Sequence, residues 1–130
     1  MLLGIFAQSD RYGIKTVNAK LYSQIVKCRG LSGTQYSFEI HEIGTIVMAD
    51  SGAYMFLKLL RTNIWQAIYV GETDNLHRCL NEGLKQHRRW SCIRGAGATH
   101  IAILRSSGSS SQRRAVACDL KCAYMPLCNR

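Results

Sequence analysis

The residues of this chain with the clearest chemical potential are its cations. Lys85, His87, Arg88, Arg89 and Arg94 surround Trp90, and Arg105, Arg113 and Arg114 follow. Guanidinium and ammonium groups contact phosphates without reading sequence, and an indole stacks on an unpaired base. A run of charge is equally what a solvated face looks like, and Trp90 is equally a core anchor, so both readings stand at this point. The whole composition leans toward an anionic partner: 17 Lys and Arg against 8 Asp and Glu give a net charge of +9. Nucleic acid comes first on that ground, an acidic protein or membrane surface second.

Other chemistries find less support. Six cysteines at positions 28, 79, 92, 118, 122 and 128 would allow three disulfides, but the short apolar start, which runs straight into Ser9-Asp10-Arg11, does not read as a signal peptide. No stretch reaches the roughly 18 apolar residues that span a bilayer. The expectation is a cytoplasmic protein whose thiols are reduced and buried as small hydrophobes. A zinc site would need more ligands: no CxxC pair exists, and Cys118 with Cys122 is the only close helical pair. Gly95-Ala96-Gly97 lacks the Lys-Ser/Thr of a phosphate-cradling loop and reads as a turn. His41 lies in an alternating segment and reads as a solvated strand residue.

The elements that must position these residues follow from hydrophobic period. Length and composition, 130 residues at 47% hydrophobic with one proline, suit a single compact unit. Residues 2–7 form a short apolar strand. Val17, Leu21, Ile25 and Val26 fall at helical spacing and predict a helix that Gly30 stops. Residues 36–43 alternate, with Phe38 and Ile40 inward and Glu39 and His41 outward, and residues 45–48 suggest a further short strand. Residues 53–57 and 65–70, joined by a turn at 61–63, predict a hairpin. Thr73-Asp74 resembles a cap for a helix over 74–86 carrying Leu76, Leu80 and Leu84. A strand over 98–104, a polar loop over 105–111 and a helix over 112–123, stopped by Pro126, complete the chain. The sum is an α+β domain with a small mixed or antiparallel sheet and flanking helices. Residues 1–49 add a strand-helix extension packed on that domain, where it covers a sheet edge or makes a subunit contact.

Gly52-Ala53-Tyr54, a hairpin turn, and Tyr69-Val70-Gly71-Glu72-Thr73-Asp74 resemble the paired elements that name the GIY-YIG nucleases. The closing segment RRAVACDLKCAYMPLCN, residues 113–129, is similar to that family's last helix and tail. The resemblance covers residues 50–130, with the order and spacing of the pieces carrying its specificity. It implies metal-assisted hydrolysis of a phosphodiester, DNA in particular, with Tyr54 and Tyr69 positioning or deprotonating the attacking water, an arginine on the first helix, and Asn129 in the tail. A phenol with a pKa near 10 needs a nearby cation or metal to serve as a base at neutral pH. Without the tail, the two tyrosines would read simply as β-formers on a half-buried face.

The same resemblance shows where this chain departs. The position of the metal-binding glutamate reads Ala117, that of the arginine reads Cys79 with Arg78 beside it, and that of the histidine reads Gly83. A methyl group holds no divalent ion, and Asp119, about 200° further round the helix, faces elsewhere. The resemblance therefore implies no metal for the chain as written, and Mg²⁺ or Mn²⁺ only with a glutamate in place of Ala117. Three readings follow: a nucleic-acid-binding protein on an impaired nuclease scaffold, a Mg²⁺-dependent endonuclease disarmed by one replacement, and a protein-interaction module built on a vestigial cleft, with residues 1–49 as its interface.

Overall fold

A computed structural model of the chain describes residues 4–9, 15–18, 25–62 and 64–130, with side chains from residue 25 onward except at 63. It is an α+β structure in which, among the described residues, seven strands carry the sheet: β1 (Gly4–Ser9), β2 (Lys15–Asn18), β3 (Ile25–Arg29), β4 (Gln35–Glu42), β5 (Gly52–Arg61), β6 (Ile64–Thr73) and β7 (His100–Arg105). Strands β3 to β7 form a curled antiparallel sheet in the order β3-β4-β7-β5-β6. β2 pairs antiparallel with β6, and β1 pairs antiparallel with β2 and parallel with β3, which closes the barrel.

β5 runs between β6 and β7, and six consecutive residues from Gly52 to Leu57 are buried. Such a run requires cover on both faces of the sheet. Helix α2 (Ser110–Tyr124) supplies one cover: Ala117, Leu120 and Tyr124 join Met55, Leu57, Val70 and Ala102 in one apolar cluster. A succession of short helical turns supplies the other, where Leu76, Leu80 and Ile93 pack with Tyr54, Phe56, Tyr69, Ile101 and Ile103. Helix α1 (Trp90–Gly95) closes that layer.

The hairpin, the strand after it and the last helix lie where the hydrophobic period puts them. Phe38 and Ile40 point inward from β4, and Glu39 and His41 lie half-buried on its other side. Other expectations are corrected. The helix expected from Val17 to Gly30 is corrected at its described residues: Val17 belongs to β2, and Ile25 and Val26 belong to β3, where Val26 and Cys28 point in while Lys27 and Arg29 lie outside. Period two governs there, as β-branched residues favour, and the helical spacing came from joining residues of two strands. Leu21 and Asp10 lie outside the described residues. The short strand at 45–48 is a loop, whose Val47 N–H donates to Asn81 Oδ1 at 2.9 Å. The 74–86 helix is a chain of tighter and wider turns, a π-helical turn Arg78–Glu82 followed by a 3₁₀ turn Leu84–Gln86. α2 starts two residues early because Ser109 and Gln112 form a capping box.

The extension does cover sheet edges, but with strands. β2 lies on the free edge of β6 and β4 on that of β7. Cys92 and Cys128 form a disulfide, so these two are not the free thiols expected, and the bond ties α1 to the C-terminal 3₁₀ turn Leu127–Asn129. No helix among the described residues is long and apolar enough to cross a membrane.

Candidate functional site

The β5–β6 register decides how the two tyrosines meet. Phe56 lies opposite Tyr69 and Tyr54 opposite Gly71, so Tyr54 and Tyr69 are diagonal neighbours on one face, with ring centroids 6.0 Å apart. Gly71 makes room for this pair: a Cβ there would sit 2.6 Å from the Tyr54 hydroxyl and 2.8 Å from the Tyr69 ring. Gly52 serves the backbone instead, because a Cβ would meet the Leu104 carbonyl oxygen of β7 at 2.3 Å. The two glycines of the motif are thus steric requirements of one hydroxyl and one strand approach.

His87 completes the group. Its Nε2 lies 2.7 Å from Tyr54 Oη, and its ring stands edge-on to Tyr69 at 5.0 Å between centroids. The Arg89 backbone N–H donates to Nδ1 at 3.0 Å, which places the proton of the neutral ring on Nε2 and makes His87 the donor to Tyr54. Burial lowers the His87 pKa below its ordinary value, with the charge of Arg88 adding to the effect. Burial likewise pushes the Tyr54 phenol far above its ordinary range, reinforced by Cys79 and Tyr69. Cys79 lies against Tyr54, and burial raises its thiol too, opposed by the Tyr54 hydrogen bond and the charge of Arg78. Tyr54 is therefore a neutral hydroxyl near pH 7.

A cleft of about 510 Å³ opens over these rings. Its opposite wall is one face of α2, where Arg114, Ala117, Cys118 and Lys121 recur at helical spacing. Ala117 is 2% exposed and lines the cleft with both tyrosines. Arg88, Arg114 and Lys121 are exposed at its rim and have no acidic partner among the described residues. The one carboxylate lining the cleft, Glu72, accepts from Arg113 Nε at 2.9 Å. Arg113, 8% exposed, also donates to the Gly108 carbonyl at 2.9 Å.

Arg113 is consequently an interior partner of Glu72 and not a surface cation open to phosphate, as its place in a basic cluster had implied. Its burial follows from its position on α2, one turn before Ala117 on the face turned to β6. Arg78 turns outward: its guanidinium pairs with Asp74 at 2.7 Å and is 61% exposed, while Cys79 beside it faces the tyrosines. Gly83 closes the π-helical turn, its N–H donating to the Arg78 carbonyl at 2.7 Å. Asn129 clasps the backbone of Val70, accepting from its N–H at 2.8 Å and donating to its carbonyl at 2.9 Å, and so pins the tail beside Tyr69. Asp119 does face elsewhere, bonding Ser32 and Tyr36. Glu82 pairs with His77 at 3.2 Å, outside the cleft.

Lys85, Trp90 and Arg94 line an adjoining groove of about 540 Å³, which shares His87 and Arg88 with the cleft. Arg89 and Arg105 line neither, and Arg105 pairs with Glu39 and Asp50. Residue pattern alone missed the place of His87 over the tyrosines, the pairing of Glu72, and Lys121. Lys121 had a visible signal, since it lies one turn beyond Ala117 and two beyond Arg114.

Among the described residues no three His, Cys, Asp or Glu side chains gather where they would hold a metal ion. Comparison with protein families, with characterised proteins and with solved structures finds no match to this chain. What the fold and the site define together is an α+β domain with a cation-rimmed tyrosine–histidine cleft.

Proposed function

We propose that the chain binds nucleic acid through this cleft, on a GIY-YIG-like scaffold that holds the phosphate without hydrolysing it. The observation that carries the reading is the charge arrangement: Arg88, Arg114 and Lys121 face the cleft without acidic partners among the described residues, while Glu72 is neutralised by Arg113. The charged oxygens of a backbone phosphodiester gain from such cations and from hydrogen bonds to the tyrosine hydroxyls lining the cleft. The residues present do not fit the Mg²⁺ that the resemblance implies. Ala117 offers no oxygen, and Glu72 is engaged by a guanidinium. Placement of both tyrosines on one face of the β5–β6 pair, and of Ala117 opposite them, supports the scaffold likeness.

Salt-dependent binding of labelled DNA and RNA is the test, with Arg114→Ala and Lys121→Ala as variants. Each is expected to weaken binding of every sequence and to reduce the slope of log affinity against log salt by about one. Unchanged affinity and slope in both variants would overturn the reading.

A second reading, an endonuclease disarmed by a single replacement, is favoured by the place of Ala117 directly in the tyrosine cleft. Its test is Ala117→Glu with Mg²⁺ or Mn²⁺ on single- and double-stranded DNA and on RNA. We expect no cleavage, because no arginine stands where Cys79 contacts Tyr54. Cleavage confined to the glutamate variant would establish the second reading instead.

A further inference from the structure

The groove beside the tyrosine cleft has a composition that the phosphate site alone does not require. Lys85, Arg88 and Arg94 line it with His87, Ser91 and Trp90. Trp90 is half-buried: its indole packs on Phe56, with centroids 6.2 Å apart, while it also borders the open groove. That is a rigid aromatic platform anchored in the core and ringed by cations. Lys85, Arg88 and Arg94 have no acidic partner among the described residues.

We infer that this groove takes an unpaired nucleotide adjoining the phosphate held in the tyrosine cleft, so that the ligand is a single strand. The inference rests on the nucleic-acid reading above and names the form of nucleic acid that reading leaves open. His87 and Arg88 belong to both cavities, so a backbone passing over them continues from one into the other. In a duplex the base faces are covered by their neighbours, and Trp90 has nothing to stack on. A single strand offers every base face, and stacking on an aromatic ring tolerates any sequence. The groove volume, about 540 Å³, lies in the range of sites that enclose a small molecule, roughly 300–1,000 Å³. DNA and RNA share the chemistry used here, phosphate and an exposed base, and the experiment separates them.

The full chain is titrated with single-stranded DNA, single-stranded RNA and the matching DNA duplex at two salt concentrations, following oligonucleotide anisotropy and tryptophan emission. Trp65 is 3% exposed in the core, so quenching on binding reports Trp90. Quenching by one or both single strands but not by the duplex is expected. Trp90→Leu should weaken single-strand binding by about tenfold or more and leave duplex binding unchanged. Trp90→Phe, which keeps a ring against Phe56, should retain most of the affinity and guards against a folding defect. Single-strand binding that falls in Arg114→Ala yet ignores both Trp90 variants would overturn this inference and leave the phosphate cleft standing. Preference for the duplex would overturn it as well. Salt-independent binding, or none to any form, would remove the nucleic-acid reading and this inference with it.

Discussion

Replacing Arg113 with Met isolates the pair on which the charge of the cleft depends. The guanidinium makes two charge-assisted hydrogen bonds, to Glu72 and to the Gly108 carbonyl, both at 2.9 Å. A hydrogen bond to a charged group is worth about 1.5–3 kcal/mol, and breaking a fully buried ion pair costs about 3–5 kcal/mol. The Glu72 side chain is 23% exposed, so water takes up part of the stranded charge and the expected loss is about 2–3 kcal/mol. Urea unfolding of the wild type, Arg113→Met, Glu72→Gln and the double variant measures it as a double-mutant cycle. The double variant should recover part of the loss, because the uncompensated carboxylate is then gone. Oligonucleotide binding should fall in Arg113→Met and return in the double variant, since a freed Glu72 repels phosphate in the cleft. A single-variant loss below about 0.5 kcal/mol, with binding unaltered, would refute the argument that Arg113 neutralises this site.

Two further outcomes follow from the disulfide and from His87. The Cys92–Cys128 bond spans 36 residues, which by loop-closure entropy stabilises the fold by about 4 kcal/mol. Reductant should lower the urea midpoint of the wild type and leave that of Cys92→Ser unmoved, and equal midpoints for wild type with and without reductant would contradict the bond's contribution. The folded-state pKa of His87 is lowered, so below the unfolded value near 6.5 the unfolded chain takes a proton that the folded chain resists. Stability should therefore be insensitive to this group above about pH 7 and fall as the pH drops through 6.5 toward the folded value. Urea midpoints between pH 7.5 and 5.5 should fall less steeply in His87→Gln, leaving the portion due to His100, whose pKa burial also lowers. An unchanged slope would show that His87 is not held neutral by its surroundings.

Much of the fold was legible because its signals are local. Alternation over residues 36–43 reflects which side of a strand meets the core, and the continuous apolar run over 53–57 reflects a strand covered on both faces. Pro126 ends α2 by removing a donor and fixing φ. The motif order also sufficed to pair Tyr54 with Tyr69 and to set Ala117 apart from Asp119, since a helix turns a fixed angle per residue. The N-terminal part misled where Val17 of β2 and Ile25 and Val26 of β3 fell at a helical spacing. α1 was invisible because its six residues carry too few apolar positions to mark a period.

Tertiary structure alone decided the rest, because each remaining feature depends on groups far apart in the chain. Arg113 and Glu72 meet across 41 residues, His87 reaches Tyr54 across 33, and Asn129 clasps Val70 across 59. A single strand of text shows that Arg113 is basic but not that Glu72 buries it, and that Cys92 and Cys128 exist but not that they join. What the sequence determined by itself is the chain's positive charge, its hairpin with two tyrosines, and an alanine at 117 where the nuclease resemblance implies a glutamate. Whether those cations face solvent, each other's counter-charges or the cleft is a matter of packing, and packing assigns Arg114 and Lys121 to the cleft, Arg113 to the interior and Arg78 to the surface.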